Sequence, residues 1–396
     1  MIIEVGWDPF DESLKADPHP IWKRLRDEEP LYRNERHDFW ALSRFDDVDA
    51  ALRDPVTFSS AYGTVLELMT EHVQTGPLMI FLDPPEHTRL RRLVSRAFTP
   101  RGVAELEGDV RNLCRALLGD RGDRHGLDVV ADYGAVVPAE VIATLLGVPP
   151  EDRAEVRRHI DGSFHLEPDV GMANPTAAAS WTWLSEYITD QLRSRRARRR
   201  DDMLSDLLEA QLVDGDGSVH RLGVDDASVL ALLLISAGTE TVARLIGWAA
   251  FLLARHPDQR AALVADPSMV PGAVEEVLRF ESPSPVQARR TTAPVVYYGT
   301  TVPAGSKVLL LNGAANRDER RFPDADQFDV CRGTDLHLAF GYGVHFCLGA
   351  ALARLEGRVA VEELLARYPE YDVDPEGAVL LSTSTVRGYE RLPLLV

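Results

Sequence analysis

The stretch Phe340-Gly341-Tyr342-Gly343-Val344-His345-Phe346-Cys347-Leu348-Gly349 sets one cysteine between a glycine-punctuated loop and a long helical pattern. Gly341 and Gly343 permit a tight turn that residues with a Cβ resist. Behind Cys347, good helix formers from Leu348 to Glu356 open a helix that reads over 348–368. A cysteine at such a helix start meets free backbone N–H groups and the positive end of the dipole, which favour thiolate over thiol. A lone cysteine is ordinarily a buried structural residue, but the ten-residue setting points instead to a metal-binding thiolate.

The loop resembles the cysteine-ligand loop of the cytochrome P-450 family, whose thiolate holds haem iron. Ordered likenesses run from Asp83 to the C-terminus. The resemblance implies a mainly α fold with minor β (α+β): a helix-rich triangular prism with a long buried central helix and small β-sheets. Residues 1–396 read as one such domain, without a Pro/Gly/Ser linker, repeat or low-complexity tract. The cofactor implied is haem b, with Cys347 as axial ligand of the iron and Phe340 and Gly341 in the loop around it.

Composition narrows the setting. Of 396 residues, 45% are hydrophobic, enough for a sizeable core. Asp and Glu number 62 against 43 Lys and Arg, and the resulting charge of −19 argues against general nucleic-acid affinity. Three cysteines (Cys114, Cys331, Cys347) without a CxxC pair suit a reducing compartment. The N-terminus lacks a basic segment and long apolar core, and the most apolar run, 227–239, is too short to cross a bilayer. These features predict a cytoplasmic protein with no membrane and no nucleic-acid partner; a monomer is expected, although the sequence does not itself set the oligomeric state.

Helical patterns occupy 21–29, 86–98, 103–118, 139–146, 176–199 and 203–212, and a hairpin is expected over 31–42. Strands are expected over 294–311, with a turn at Pro303-Ala304-Gly305, and over 379–396. The helix over 225–255 is apolar on nearly all sides and about 45 Å long, so it is expected to be buried. At its centre lies Ala237-Gly238-Thr239-Glu240-Thr241; burying such polar groups costs several kcal/mol unless they are satisfied or used. Gly238 leaves room for a ligand, Thr241 can bond back to the Ala237 carbonyl, and a hydroxyl beside a carboxylate can relay protons through water. The segment resembles the family's oxygen-binding motif. That likeness implies a monooxygenase using O2, with Thr241 and Glu240 as the catalytic pair.

Other motifs match in order. Glu276 and Arg279, at i and i+3, resemble the family's structural ExxR pair. The downstream loop departs from the family pattern at Ala325 and Gln327, which leaves open whether Arg332 or a neighbouring arginine completes the cluster. In Asp83-Pro84-Pro85-Glu86-His87-Thr88-Arg89-Leu90-Arg91-Arg92, Asp83 suits an N-cap, Pro84 the first helical position and Glu86 a capping box. His87 and Arg91, one helical turn apart, resemble haem-propionate ligands; Arg289, with Arg290 as rival, and His345 resemble two more.

The family's variable segments map to 61–81, 160–179, 234–241, 283–288 and 382–386. Leu66, Leu68, Met69, Phe164, Leu234 and Val286 there suggest a small, largely apolar organic substrate, while Met172, Trp181 and Trp183 either line the lid or pack it. Electrons would come from a separate ferredoxin and ferredoxin reductase, with Arg89, Arg92, Arg96 and Arg101 as a basic dock. The six arginines of 193–200 read as a solvated helix end. The rival readings are a peroxide-driven haem-thiolate enzyme, a non-catalytic haem sensor or carrier, and a helical protein with a reactive cysteine.

Overall fold

A computed structural model describes residues 5–73, 78–95, 98–119, 126–165, 167, 171, 174–213, 218–334 and 336–396. Its axis is the helix Val224–Arg255, with Asp225 and Asp226 in the first turn and Arg255 in the last, ahead of Pro257. Acid at the start, base at the end and a following proline are the charges and breaker that bound a helix. Leu230, Ala231, Ile235, Leu245, Ile246 and Ala250 are almost wholly buried. The helix packs against Val136–Leu146, Pro175–Ala197 and Ala350–Arg367.

Val224–Arg255 and the segment 129–146 are both long and apolar enough to cross a membrane by length and composition. This corrects the expectation from 227–239, because the helix continues well past the apolar run. Both segments are mostly buried within the fold, which accounts for their apolar character.

A five-stranded sheet runs in the order Leu31–Asn34, Phe39–Leu42, Lys307–Leu310, Gln287–Thr291, Phe58–Ser59, and only the Phe39–Leu42/Lys307–Leu310 pairing is parallel. The expected hairpin closes with Leu31 opposite Leu42. Val379–Ser382 pairs with Arg387–Arg391. The strand expectation for 294–311 resolves into Val295–Tyr297, Thr300–Val302 and Lys307–Leu310.

Helix boundaries differ from expectation, most clearly at three places. The 103–118 pattern breaks at Leu106 into Pro100–Glu105 and Glu107–Gly119, the first capped by the Thr99 hydroxyl with Pro100 at its start. The 203–212 pattern ends at Glu209, and Gln211–Val213 is a strand paired with Val219–Arg221. The third is Glu86–Val94, preceded by Pro85 at the cap position rather than Asp83. The Asp83 carboxylate is engaged elsewhere, accepting from the Ser59 hydroxyl at 2.5 Å and the Ser60 amide at 2.9 Å. It therefore ties this helix to the sheet instead of capping it.

Gly357 lets the helix that follows the cysteine press on the central helix, since a Cβ there would lie 2.8 Å from Leu245 Cδ2. That close approach sets the cysteine loop against the middle of Val224–Arg255.

Candidate functional site

Between the two helices lies a largely apolar cavity. One wall is Leu233, Leu234, Ala237, Gly238, Thr241 and Val242 of the central helix; the facing wall is Cys347, Leu348, Gly349, Leu352, Ala353 and Glu356. Met79, Ile80, Phe98, Pro138 and Ile142 supply apolar sides.

The cysteine loop turns as its glycines predict: Gly341 and Gly343 have φ of 64° and 69°. A Cβ on Gly343 would also lie 2.6 Å from the Leu52 carbonyl oxygen. The Cys347 amide donates to the Phe340 carbonyl at 2.9 Å, closing the loop, and the helix Ala350–Arg367 begins three residues later. Burial pushes the Cys347 thiol up, opposed by the Gly349 amide and by Arg91 and Arg354. The expected preference for thiolate is thus outweighed by desolvation in the protein alone; a bound metal cation deprotonates such a thiol outright.

Four side chains from three segments, His87 and Arg91 on one helix, Arg289 on a strand and His345 in the cysteine loop, converge at one end of the cavity. The His87 and His345 rings lie 4.1 Å apart, and His87 Nδ1 and His345 Nε2 are buried without a hydrogen-bond partner. Burial, with repulsion from Arg91, brings His87 down to about 4. Burial, with Arg289, His87 and Arg91, brings His345 down to about 2. Arg289 is buried, donates to the Ala288 carbonyl alone among the described residues, and is pulled down to about 10 by desolvation. Burial also lowers Arg91. Among the described residues no carboxylate forms an ion pair with Arg91 or Arg289. A buried cluster of cations and orphaned imidazole nitrogens is costly unless an anionic ligand completes it. Arg290, by contrast, pairs with Glu71 at 2.7 Å and donates to the Thr70 carbonyl. Successive strand residues face opposite ways, so only one of the two arginines could face the cluster.

The residues therefore fit a cofactor whose carboxylates the cationic end would hold and whose iron Cys347 would ligate. The Thr241 hydroxyl donates to the Ala237 carbonyl at 3.0 Å, as its spacing predicts. Glu240 does not stand beside it in the cavity: its carboxylate is paired with Arg244, one turn on, and Arg244 also donates to the Tyr389 carbonyl. The i, i+4 spacing of Glu240 and Arg244 was the sequence signal for this pair.

The ExxR pair forms as expected. Arg279 donates from Nε and Nη2 to the two Glu276 oxygens at 2.7 Å each. Arg332 is the third member, at 3.2 Å from Glu276 Oε1, and Gln327 contributes only its carbonyl oxygen.

Of the variable segments, 61–81 and 234–241 reach the cavity, through Met79, Ile80 and the central helix. Val286, Thr383 and Ser384 instead line a smaller cleft with Trp7 and Trp22. Trp183 packs, stacked between His159 and Tyr187, and Trp181 is partly exposed. Met172 and Arg96 lie outside the described residues. Phe98, Pro138 and Ile142 were not anticipated as lining residues.

Glu356 was also missed. It is 2% exposed, lines the cavity without an ion pair among the described residues, and burial pushes its carboxyl up to about 8. The unfolded chain ionises this group above its ordinary 4.5, while the fold keeps it protonated to about 8. Its contribution is complete below the lower value and lost as pH rises through the upper one. Glu356→Gln should therefore raise stability by about 3 kcal/mol near neutral pH and by less than about 1 kcal/mol near pH 5. Denaturant midpoints at the two pH values check this; equal differences at both would refute it.

Comparison with known proteins agrees with this geometry. The family pattern described as Cytochrome P450 matches residues 181–388. The Vitamin D(3) 25-hydroxylase of Pseudonocardia autotrophica is 39% identical over 394 residues, covering 98% of this chain and 96% of that protein. Cytochrome P450 monooxygenase PikC of Streptomyces venezuelae is 39% identical over 404 residues, covering 99% of this chain and 94% of its own. The structure of cytochrome P450 CYP109Q5 from Chondromyces apiculatus superposes with a TM-score of 0.88 at 36% identity, covering 98% and 97% of the two chains. The chain belongs to the cytochrome P450 family, as a haem b oxidoreductase of the monooxygenase class.

Proposed function

We propose that this protein inserts one oxygen atom from O2 into a C–H or C=C bond of a small, largely apolar molecule, in a single domain of 396 residues. The carrying observation is one cavity with Cys347 on one wall, Thr241 on the other and, at its end, a cationic cluster that forms no ion pair with a carboxylate among the described residues and holds two orphaned imidazole nitrogens. When bound, haem supplies the activation of O2 and the oxidising power.

The chain's own residues divide the remaining work. Cys347 ligates the iron, with Phe340 and Gly341 shaping the loop that presents it. His87, Arg91, Arg289 and His345 hold the haem carboxylates, whose charge relieves the repulsion among them. Ala237 and Gly238 leave space beside the backbone on the oxygen side. Thr241 Oγ1, now spent on the Ala237 carbonyl, is the group placed to pass a proton into the cavity. Glu240 supplies it from behind, which requires its carboxylate to leave Arg244. Met79, Ile80, Phe98, Ile142, Leu233 and Leu234 exclude water and select apolar substrates.

Electrons come from a ferredoxin and its reductase at a basic face that includes the exposed Arg89, Arg92 and Arg101. Charge reversal there slows reduction without changing substrate affinity. The protein acts as a cytoplasmic monomer. The Thr241 hydroxyl on the cavity wall, with a carboxylate one residue before it, favours this reading over a sensor, which needs no proton relay, and over a peroxide-driven enzyme, which typically lacks that acid–Thr sequence.

The test is the absorption spectrum of purified protein, reduced and exposed to carbon monoxide, followed by substrate-dependent NAD(P)H consumption with a ferredoxin and reductase. A strongly red-shifted Soret band and coupled turnover support the reading; absence of haem refutes it. Thr241→Ala should cut product formed per NAD(P)H by roughly 100-fold while consumption continues. Unchanged coupling would remove Thr241 from the relay.

A further inference from the structure

Behind Glu240 the central helix is stitched to the last hairpin of the chain. That hairpin pairs Val379–Ser382 with Arg387–Arg391, and among the described residues the second strand has no strand partner on its other edge. Side chains of Val224–Arg255 take that edge instead. Arg244 donates to the Tyr389 carbonyl, and Trp248 Nε1 donates to the Arg387 carbonyl at 3.1 Å. Carbonyls two residues apart on a strand point the same way, and Glu240, Arg244 and Trp248 follow one another at i+4 on one helix face. Gly388 lies between the two carbonyls, where a Cβ would stand 2.7 Å from both Cβ and Cδ of Arg244. The strand therefore presses on the Arg244 stem and accepts from its head.

Arg244 gives a second N–H group to Glu240. The Arg244 side chain is 6% exposed and that of Glu240 15%, and Arg244 Nε is buried without a hydrogen-bond partner. A largely buried guanidinium that loses its carboxylate costs far more than a broken surface pair. While the strand fixes Arg244, turning Glu240 towards Thr241 leaves that charge uncompensated. A shift of the strand lets Arg244 follow the carboxylate or reach water, and the cost falls.

We propose that Arg244 is a positioning residue, clamped by the strand Arg387–Arg391, that withholds Glu240 from Thr241, so that the hairpin governs the supply of protons to the cavity. The inference rests on the relay reading above, in which Glu240 must leave Arg244. Once released, Glu240 takes a proton from water and passes it to the Thr241 hydroxyl, which hands its own proton into the cavity.

The first test involves no turnover. Purified protein is treated with a water-soluble carbodiimide and an amine, and modification of Glu240 is followed by mass spectrometry against that of exposed carboxylates. Arg244→Gln should raise the rate at Glu240 by about threefold to tenfold. Gly388→Ala, whose added Cβ meets Arg244, should raise it in the same direction, and it serves if the glutamine variant does not fold. Arg244→Lys, which keeps the charge, should stay within about twofold of wild type. The second test follows a single turnover of reduced, haem-loaded protein with O2 in H2O and in D2O. Arg244→Gln should be faster than wild type with a smaller solvent isotope effect, and in a Glu240→Gln background it should add no further change. An unchanged labelling rate in Arg244→Gln and Gly388→Ala would overturn the proposal, because Glu240 would already be free. Raised labelling without faster turnover would overturn it as well. So would an effect on turnover that persists without the Glu240 carboxylate, which would leave Arg244 a residue that only packs the strand. Absence of haem from the wild type would instead refute the parent reading, and the labelling result would stand by itself.

Discussion

Glu276→Gln destabilises the fold by about 3–5 kcal/mol, an expected loss comparable to the stability of a whole domain. Glu276 is 1% exposed, and its two oxygens together accept from Arg279 Nε and Nη2 at 2.7 Å, the Asp329 amide at 3.0 Å, Arg332 Nε at 3.2 Å and the Thr334 hydroxyl at 3.3 Å. Glutamine replaces one acceptor oxygen with an N–H₂ facing these donors, and it leaves Arg279 buried without a counter-charge. Arg279 would still hold the Asn316 and Ala325 carbonyls at 2.8 and 2.9 Å, but neutral dipoles do not offset a buried guanidinium. The midpoint of denaturant unfolding reads the loss directly. A change below about 1 kcal/mol would mean that the cluster is solvated in the folded state, contrary to its burial.

This cluster shows what the sequence could and could not disclose. The i, i+3 spacing of Glu276 and Arg279 is local and therefore legible, as are the Thr241 bond to Ala237 and the turn at Gly341 and Gly343. The central helix was legible because its apolar character extends all round, a pattern that only burial explains. Arg332 could be offered only as one candidate, since a partner 56 residues from Glu276 is fixed by how a loop folds back. Arg289 was preferred to Arg290 only by alignment with the family, for a similar reason: strand alternation separates their faces but does not say which face is inward. Asp83 was misread because its N-cap chemistry is real but Ser59 and Ser60, on a distant strand, compete for the same carboxylate. Glu240 was read for its neighbour Thr241 and not for Arg244. Adjacent helix residues diverge by about 100°, whereas residues four apart share a face. Glu356 gives no local sign at all, since its burial depends on which side of the helix meets the cavity.

Cys347→Ala is expected to separate the two halves of the site, because the cationic cluster and Cys347 lie largely on different segments. His87, Arg91, Arg289 and His345 owe their arrangement to the helix Glu86–Val94, the strand Gln287–Thr291 and the loop, none of which depends on the sulfur. The orphaned nitrogens of His87 and His345 still need an anionic partner in the variant. The protein should therefore fold and retain some haem, now held by its carboxylates alone. What disappears is the strongly red-shifted band of the reduced carbon monoxide complex, together with the electron donation that favours O–O cleavage. Altering a group that merely orients a metal ligand typically costs about 10–100-fold, so losing the ligand should cost more than about 100-fold in product formation. Haem content, the carbon monoxide spectrum and turnover, measured on one preparation, check the three statements independently. Retention of the red-shifted band in Cys347→Ala would place the thiolate elsewhere, and neither alternative is attractive. Cys114 is buried with its thiol pushed up to about 11, and Cys331 is exposed and outside the cavity lining, so neither reaches the wall opposite Thr241.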